Sequence, residues 1–383
     1  MDLRKFAYTE FATSQLRYWE LLDFDLKQVN LVVGKNSAGK SRTLNVIDSL
    51  SKVLANPSGL SFDNGHYKAE FVSSTGSYYF LELEIEGGHI LKEILQVNHE
   101  TLLERNEANE GRIFNAEVKK YLGFQLPHLQ LAVARRDKIQ YPYLEELFEW
   151  ASKVRHFHFN TPLGKQAFAF IENSASNIRP INIKEVDRVV ETFHFSNMRY
   201  DFLYRKKVID DFNRIGYCIS DIKIDNLVSL SFDKALQNPP KGILVKEEDR
   251  FGYTDQNEMS MGMFRALSVI INFNAYELAD IPGCILIDDI GEGLDFEKST
   301  NLINLLIEKT KGSKVQLIMS SNDKFVMNNT DLEYWQIIKR EGSKVKLFNK
   351  ENSKKQFEDF AFTGLNNFDF FRSDFYEKGF SIE

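Results

Sequence analysis

Residues 34–41 read Gly-Lys-Asn-Ser-Ala-Gly-Lys-Ser. Gly34 and Gly39 let a chain fold tightly, so that the backbone N–H groups of Asn36, Ser37 and Ala38 can converge on one anion. A helix starting near Gly39 aims its N-terminal dipole at the same point. Lys40 then places a positive charge on the β- and γ-phosphates of a nucleotide, and Ser41 offers a hydroxyl to Mg²⁺. The spacing GxxxxGK[ST] is met in full, so the chemistry expected here is binding of a nucleoside triphosphate with Mg²⁺.

A second group lies at 284–289, Cys-Ile-Leu-Ile-Asp-Asp, an apolar run ending in two acids. Asp288 suits a carboxylate that holds Mg²⁺ through water. Asp289 would stand beside the γ-phosphate as the base that orients or deprotonates water.

Both groups need elements to hold them. Residues 29–33 (VNLVV) read as a buried strand leading into Gly34, and Leu44, Ile47, Leu50 and Leu54 follow at helical spacing. Residues 71–86 alternate and end at Gly87-Gly88, which predicts a strand and a turn. Residues 143–154 read as an amphipathic helix and 155–160 as a strand. Residues 184–215 read as helix, 263–278 as a mostly buried helix, and 284–288 and 315–320 as buried strands. Alternation around Glu341-Gly342 predicts a hairpin over 334–349. Buried strands followed by helices, with an antiparallel N-terminal part, indicate an α/β protein with a mixed central sheet.

Composition narrows the function classes. The chain has 383 residues, a net charge of −7 and two cysteines. Cys218 and Cys284 cannot build a disulfide framework, which fits a reducing cytoplasm. The N-terminus lacks an apolar signal segment, and no apolar run is long enough to span a membrane. The acidic balance does not support DNA as a partner, although it leaves a local basic patch open. Basic clusters stand at Arg135-Arg136-Lys138 and Arg205-Lys206-Lys207. His156 and His158 would share one face of a strand, and without further ligands they read as packing rather than metal binding. The 32 Phe are a surplus, and eight of them fall within 356–383. That segment reads either as folded onto the core or as a docking patch for a partner.

The order of motifs carries a resemblance. Residues 34–41 match the Walker A pattern and 284–289 the Walker B pattern. Residues 285–295 (ILIDDIGEGLD) resemble an ABC-type Walker B and D-loop, with Asp295 on the D-loop Asp. Residues 257–267 (NEMSMGMFRAL) resemble the ABC signature, with Ser260 and Gly262 in the key positions. VQLIMSSND resembles the switch strand, with Asn322 where such families carry His. The chain therefore resembles ABC-type P-loop ATPases of the OLD (overcoming lysogenization defect), RecF and SMC (structural maintenance of chromosomes) group. Within it, SMGMFRAL and IDDIGEGLD look like OLD-like bacterial ATPases associated with phage defence.

The resemblance implies an ABC-type P-loop NTPase head with a mixed sheet and a helical signature lobe. Its expected parts are a first lobe at 1–160, a helical lobe at 161–280, a return to the first lobe at 281–355, and a Phe-rich segment at 356–383. It implies a homodimer in which Ser260 of one chain faces the γ-phosphate held by the other. A Q-loop contact to Mg²⁺ is expected at Gln140, with a surface turn before Pro142 as the alternative. The acid at Asp289 is one methylene shorter than the family's Glu, and Asn322 cannot titrate, so slow hydrolysis is expected. Glu292 is a second candidate acid. The expected function is a cytoplasmic ATP-driven switch controlling a separate effector, a nuclease or toxin. A RecF-like DNA-clamping ATPase is the alternative.

Overall fold

The computed structural model describes residues 1–11, 14, 16–56, 64–170, 186–230 and 239–380. Strands β1 (Asp2–Glu10) and β2 (Trp19–Asp25) precede β3 (Val29–Val33) and helix α1 (Lys40–Ala55). An antiparallel run follows: β4 (Gly65–Val72), β5 (Tyr78–Glu86), β6 (His89–Val97), β7 (Glu100–Arg105), β8 (Glu110–Asn115) and β9 (Lys120–Gln125). Next come α2 (Pro142–Ser152), β10 (Val154–His158), α3 (Val189–Arg214), β11 (Ile219–Asn226), β12 (Lys241–Glu247) and β13 (Thr254–Asp255). The remaining elements are α4 (Met261–Ala279), β14 (Gly283–Asp288), α5 (Phe296–Lys311), β15 (Val315–Ser321), α6 (Lys324–Asn329), β16 (Trp335–Glu341), β17 (Lys344–Phe348), α7 (Lys354–Phe360), α8 (Asn367–Arg372) and α9 (Phe375–Lys378).

Fourteen of the described strands form one mixed sheet, in the order β10-β14-β15-β3-β16-β17-β2-β1-β4-β5-β6-β7-β8-β9. The five from β10 to β16 run parallel, and the strands from β1 to β9 are antiparallel. The parallel strands are buried on both faces, which explains their unbroken apolar runs. On one face Cys284, Leu286, Ile318 and Val32 pack with Leu44, Ile47 and Leu50 of α1. On the other Ile285, Ile287, Leu317 and Leu31 pack with Leu267 and Ile271 of α4 and Leu302 and Leu306 of α5.

Several expectations need correction. The strand expected over 71–86 is two, β4 and β5, because Ser73–Ser77 turns with Gly76 at φ +86°. The helix expected over 184–215 spans 189–214 and is broken at Asp201 (φ 44°, ψ −127°), while 184 and 185 lie outside the described residues. The lobe expected to be helical also carries a three-stranded antiparallel sheet, β11-β12-β13. Its buried Ile222, Ile243 and Val245 follow strand rather than helix spacing.

The Phe-rich segment folds onto the core. Phe357, Phe360, Phe370, Phe371, Phe375 and Tyr376 are buried in the core cluster, where Phe370 meets Trp335 of β16 and Tyr376 meets Phe348 of β17. Phe370 meets Phe357 edge-to-face at 4.7 Å and packs on Phe360 with tilted rings at 4.8 Å. Phe362 and Phe380 remain exposed. Among the described residues, no helix is long and apolar enough to cross a membrane.

Candidate nucleotide site

The parallel strands end along one edge of the sheet. There the ends of β10, β14, β15 and β3 bring together His158, Asp288, Ser321 and Gly34. Ligands of open α/β sheets bind at such carboxyl ends. The Gly-rich loop leaves β3 there. A Cβ on Gly34 would lie 2.9 Å from both the side chain and the carbonyl oxygen of Ile338, so a side chain has no room. Ser37 and Gly39 take positive φ, 63° and 106°. Gly39 is the N-cap of α1 and no side chain caps the helix, so its first N–H groups face the loop. Behind Gly39 lies the Trp19 ring, 3.4 Å from where a Cβ would stand.

Lys40 is buried, and its ammonium donates to the carbonyl oxygen of Gly34 at 3.0 Å. Burial lowers its pKa, while the charges of Asp289 and Asp288 raise it. Asp288 is 2% exposed. The Ser320 hydroxyl donates to Asp288 Oδ1 at 2.5 Å and itself accepts from the Asp289 N–H at 3.0 Å. Asp289 has φ 53°, which turns the chain sharply out of β14. Burial, then the charge of Asp288, push the Asp289 carboxyl above its usual pKa, and Lys40 opposes them.

Asp289, Glu292 and Asn322 line one cleft of ≈ 400 Å³ with Gly291, Ser321 and Asp323. Asn322 Nδ2 donates to Asn36 Oδ1 at 2.9 Å and so ties this cleft to the phosphate loop.

Ser260, Gly262 and Asp295 belong to a second cluster. Ser260 caps α4 by accepting from the Met263 N–H at 3.1 Å, and it is exposed. Asp295 caps α5 by accepting from the Lys298 N–H at 2.9 Å. A Cβ on Gly262 would stand 2.1 Å from the carbonyl oxygen of Gly293, so the backbones of α4 and of the loop before α5 touch. Arg265 fastens the contact, donating to the carbonyl oxygens of Glu292 at 3.2 Å and Thr161 at 2.9 Å.

Gln140 is placed differently from the other site residues. Its Oε1 accepts from Asn115 Nδ2 at 3.2 Å, its carbonyl accepts from the Ala116 N–H and its own N–H donates to Asp137, so its hydrogen bonds go to the end of β8 and to its own turn. The residue brought beside Asp288 is His158, its register partner across β10 and β14. Burial and neighbouring His156 hold the His158 imidazole below its usual pKa, against the pull of Asp288. Sequence spacing marked the two histidines as sharing a face. It carried no sign that their strand pairs with 284–288.

The basic clusters are largely engaged within the chain. Arg136 forks onto Glu145 and lies over the Phe148 ring, and Arg135 lies over Phe124. Lys207 pairs with Glu277 at 2.7 Å.

The residues fit a magnesium nucleotide. Mg²⁺ keeps several waters and uses one or two carboxylates plus phosphate oxygens, and one hydroxyl at Ser41 with one carboxylate at Asp288 suit that demand. Among the described residues there is no group of three or more His, Cys, Asp or Glu that could hold a metal by itself.

The chain is similar in structure to an Smc head bound to the C-terminal winged-helix domain of ScpA. The TM-score is 0.53 at 13% identity, over 93% of this chain and 100% of that one. The fold is that of an ABC-type ATPase head. A second similar structure is the Smc head with an extended coiled coil bound to the C-terminal domain of ScpA, from Pyrococcus furiosus. There the TM-score is 0.51 at 12% identity, over 94% of this chain and 99% of that one. At such identities the likeness is one of fold. No protein-family model and no curated protein matches the chain.

Proposed function

We propose that the chain is an ATP-dependent switch that binds Mg²⁺-ATP at the edge formed by Lys40, Ser41 and Asp288, and that two copies close around it. One observation carries this reading. The bare N-terminus of α1, the Lys40 ammonium and the Asp288-Asp289 pair lie at the carboxyl ends of the parallel strands β3 and β14, which flank β15. In this reading Lys40 leaves the Gly34 carbonyl for the β- and γ-phosphates. Asp288, fixed by Ser320, holds the cation's water shell. Mg²⁺ supplies neutralisation of phosphate charge in the transition state. Asp289 orients the attacking water, and Asn322 donates a hydrogen bond to the γ-phosphate. Ser260, exposed at the head of α4, offers its helix terminus to the nucleotide of the second copy.

Hydrolysis is slow in this account because Asp289 is short and Asn322 does not titrate. The head would then act by closing and opening, and would pass its state to a separate effector, a nuclease or toxin, in bacterial anti-phage defence. The motifs SMGMFRAL and IDDIGEGLD support that assignment through their resemblance to OLD-like ATPases. A pull-down from the native host with Asp289→Asn and Mg²⁺-ATP tests it. Recovery of a nuclease or toxin is the expected result, and recovery of no effector counts against it. A DNA-clamping role is the second reading, favoured by the fold shared with Smc heads. Salt-dependent DNA binding that requires ATP would select it.

A further inference from the structure

His158 stands where the established motifs leave a gap. Asp288 lies on β14 between two strands, and on the β15 side Ser320 donates to it at 2.5 Å. On the β10 side its register partner is His158, and paired residues of parallel strands project to the same face. The backbone also joins here, with the Phe159 N–H donating to the Asp288 carbonyl at 3.1 Å.

His158 is itself supported. Its ring packs on that of His156, with centroids 3.8 Å apart. His156 is 6% exposed, and neither of its ring nitrogens has a hydrogen-bond partner within the described residues. Its Nδ1 lies 3.7 Å from Asp48 Oδ2, a separation longer than a hydrogen bond. Asp48 belongs to α1, two turns after Ser41, and also pairs with Lys52 at 2.6 Å. A row of side chains, Asp48, His156, His158 and Asp288, thus runs under the phosphate edge from the Walker A helix to the Walker B strand. A core that needed only packing would fill these places with apolar groups, since buried polar atoms without partners cost free energy.

We infer that His158 is a positioning residue for the Asp288 carboxylate and the water shell of its cation, and that His156 and Asp48 fix the His158 ring. This rests on the proposed Mg²⁺-ATP site. The row ties the two halves of that site, from α1 to β14. Groups that orient ligands in this way typically contribute about ten- to a hundredfold to metal affinity or activity.

The test compares wild type, His158→Ala, His158→Gln and His156→Phe. The readouts are the Mg²⁺ concentration that half-maximally raises the melting temperature in saturating ATP, kcat, and the nucleotide-free melting temperature. For His158→Ala we expect the half-saturating Mg²⁺ to rise roughly tenfold or more and kcat to fall, with the nucleotide-free melting temperature little changed. His158→Gln, whose amide can still donate and accept, should recover most of the loss. His156→Phe, which keeps the packing without the nitrogens, should shift the Mg²⁺ dependence in the same direction by less. An unchanged Mg²⁺ dependence in His158→Ala overturns the inference and leaves the ATPase reading intact. So does a loss that Gln does not recover and that tracks the nucleotide-free melting temperature. A wild-type protein that shows no Mg²⁺-ATP stabilisation at all overturns both.

Discussion

Gly262 and Gly293 touch through their backbones: a Cβ on Gly262 would lie 2.1 Å from the Gly293 carbonyl oxygen. Helix α4 and the loop that leads into α5 therefore meet as one surface, riveted by Arg265. Gly262→Ala should push the two apart. Overpacking of this kind costs about 1–3 kcal/mol. Thermal melting should show that loss, and light scattering should show weakened ATP-dependent dimerisation. An alanine variant that melts and dimerises like wild type would show that the contact is not needed.

Lys40 has left its charge on loop carbonyls, ready for a phosphate. Lys40→Ala removes a charged hydrogen bond worth about 1.5–3 kcal/mol, so ATP should bind roughly ten- to a hundredfold more weakly. Equilibrium binding of a fluorescent ATP analogue measures it directly.

Asp289 and Glu292 line the same cleft, and turnover separates them. Asp289→Asn should abolish hydrolysis while retaining ATP, and Glu292→Gln should hydrolyse near the wild-type rate. The pH dependence has a defined sign. The Asp289 pKa is raised in the folded state, so its contribution to stability is present below its unfolded pKa and is lost as pH rises through its folded pKa. At neutral pH the ionised group is a burden. Nucleotide-free Asp289→Asn should melt higher than wild type at pH 7, and the gap should shrink towards acid pH.

How much of this was open to reading from residues alone differs from one element to the next. The Gly-rich loop, the Asp288-Asp289 strand end and the cap at Ser260 depend on local spacing, and the spacing could be read. The pairing of β10 with β14 is non-local, and nothing near His158 marks it. The β11-β12-β13 sheet was hidden because its alternation is short and was read within a helical lobe. The residue type of Gln140 and its place between motifs point to a Q-loop, whereas its contacts are decided by the turn at Asp137, whose carboxylate accepts from the Gln140 N–H.

Phe370 illustrates the tail. It is fully buried against three phenylalanines and Tyr376. Phe370→Ala should cost about 3–5 kcal/mol, and exposed Phe362→Ala should be close to neutral. Chemical denaturation of the pair distinguishes a core segment from a docking patch. Equal, small effects would favour the docking patch.

Lys309 joins α5 to α3 and α4, pairing with Asp211 at 2.8 Å and Glu277 at 2.5 Å and donating to Asn274. Removing one partner of a buried pair leaves an uncompensated charge, so Lys309→Met should cost about 3–5 kcal/mol. Urea unfolding checks it.

The central claim is that two copies of this head close on ATP. The most direct test is the light-scattering mass of Asp289→Asn with and without Mg²⁺-ATP. The expected mass is 44.4 kDa without nucleotide and twice that with it, with no doubling when Lys40→Ala is added. A mass that stays at one chain while ATP is demonstrably bound would contradict it.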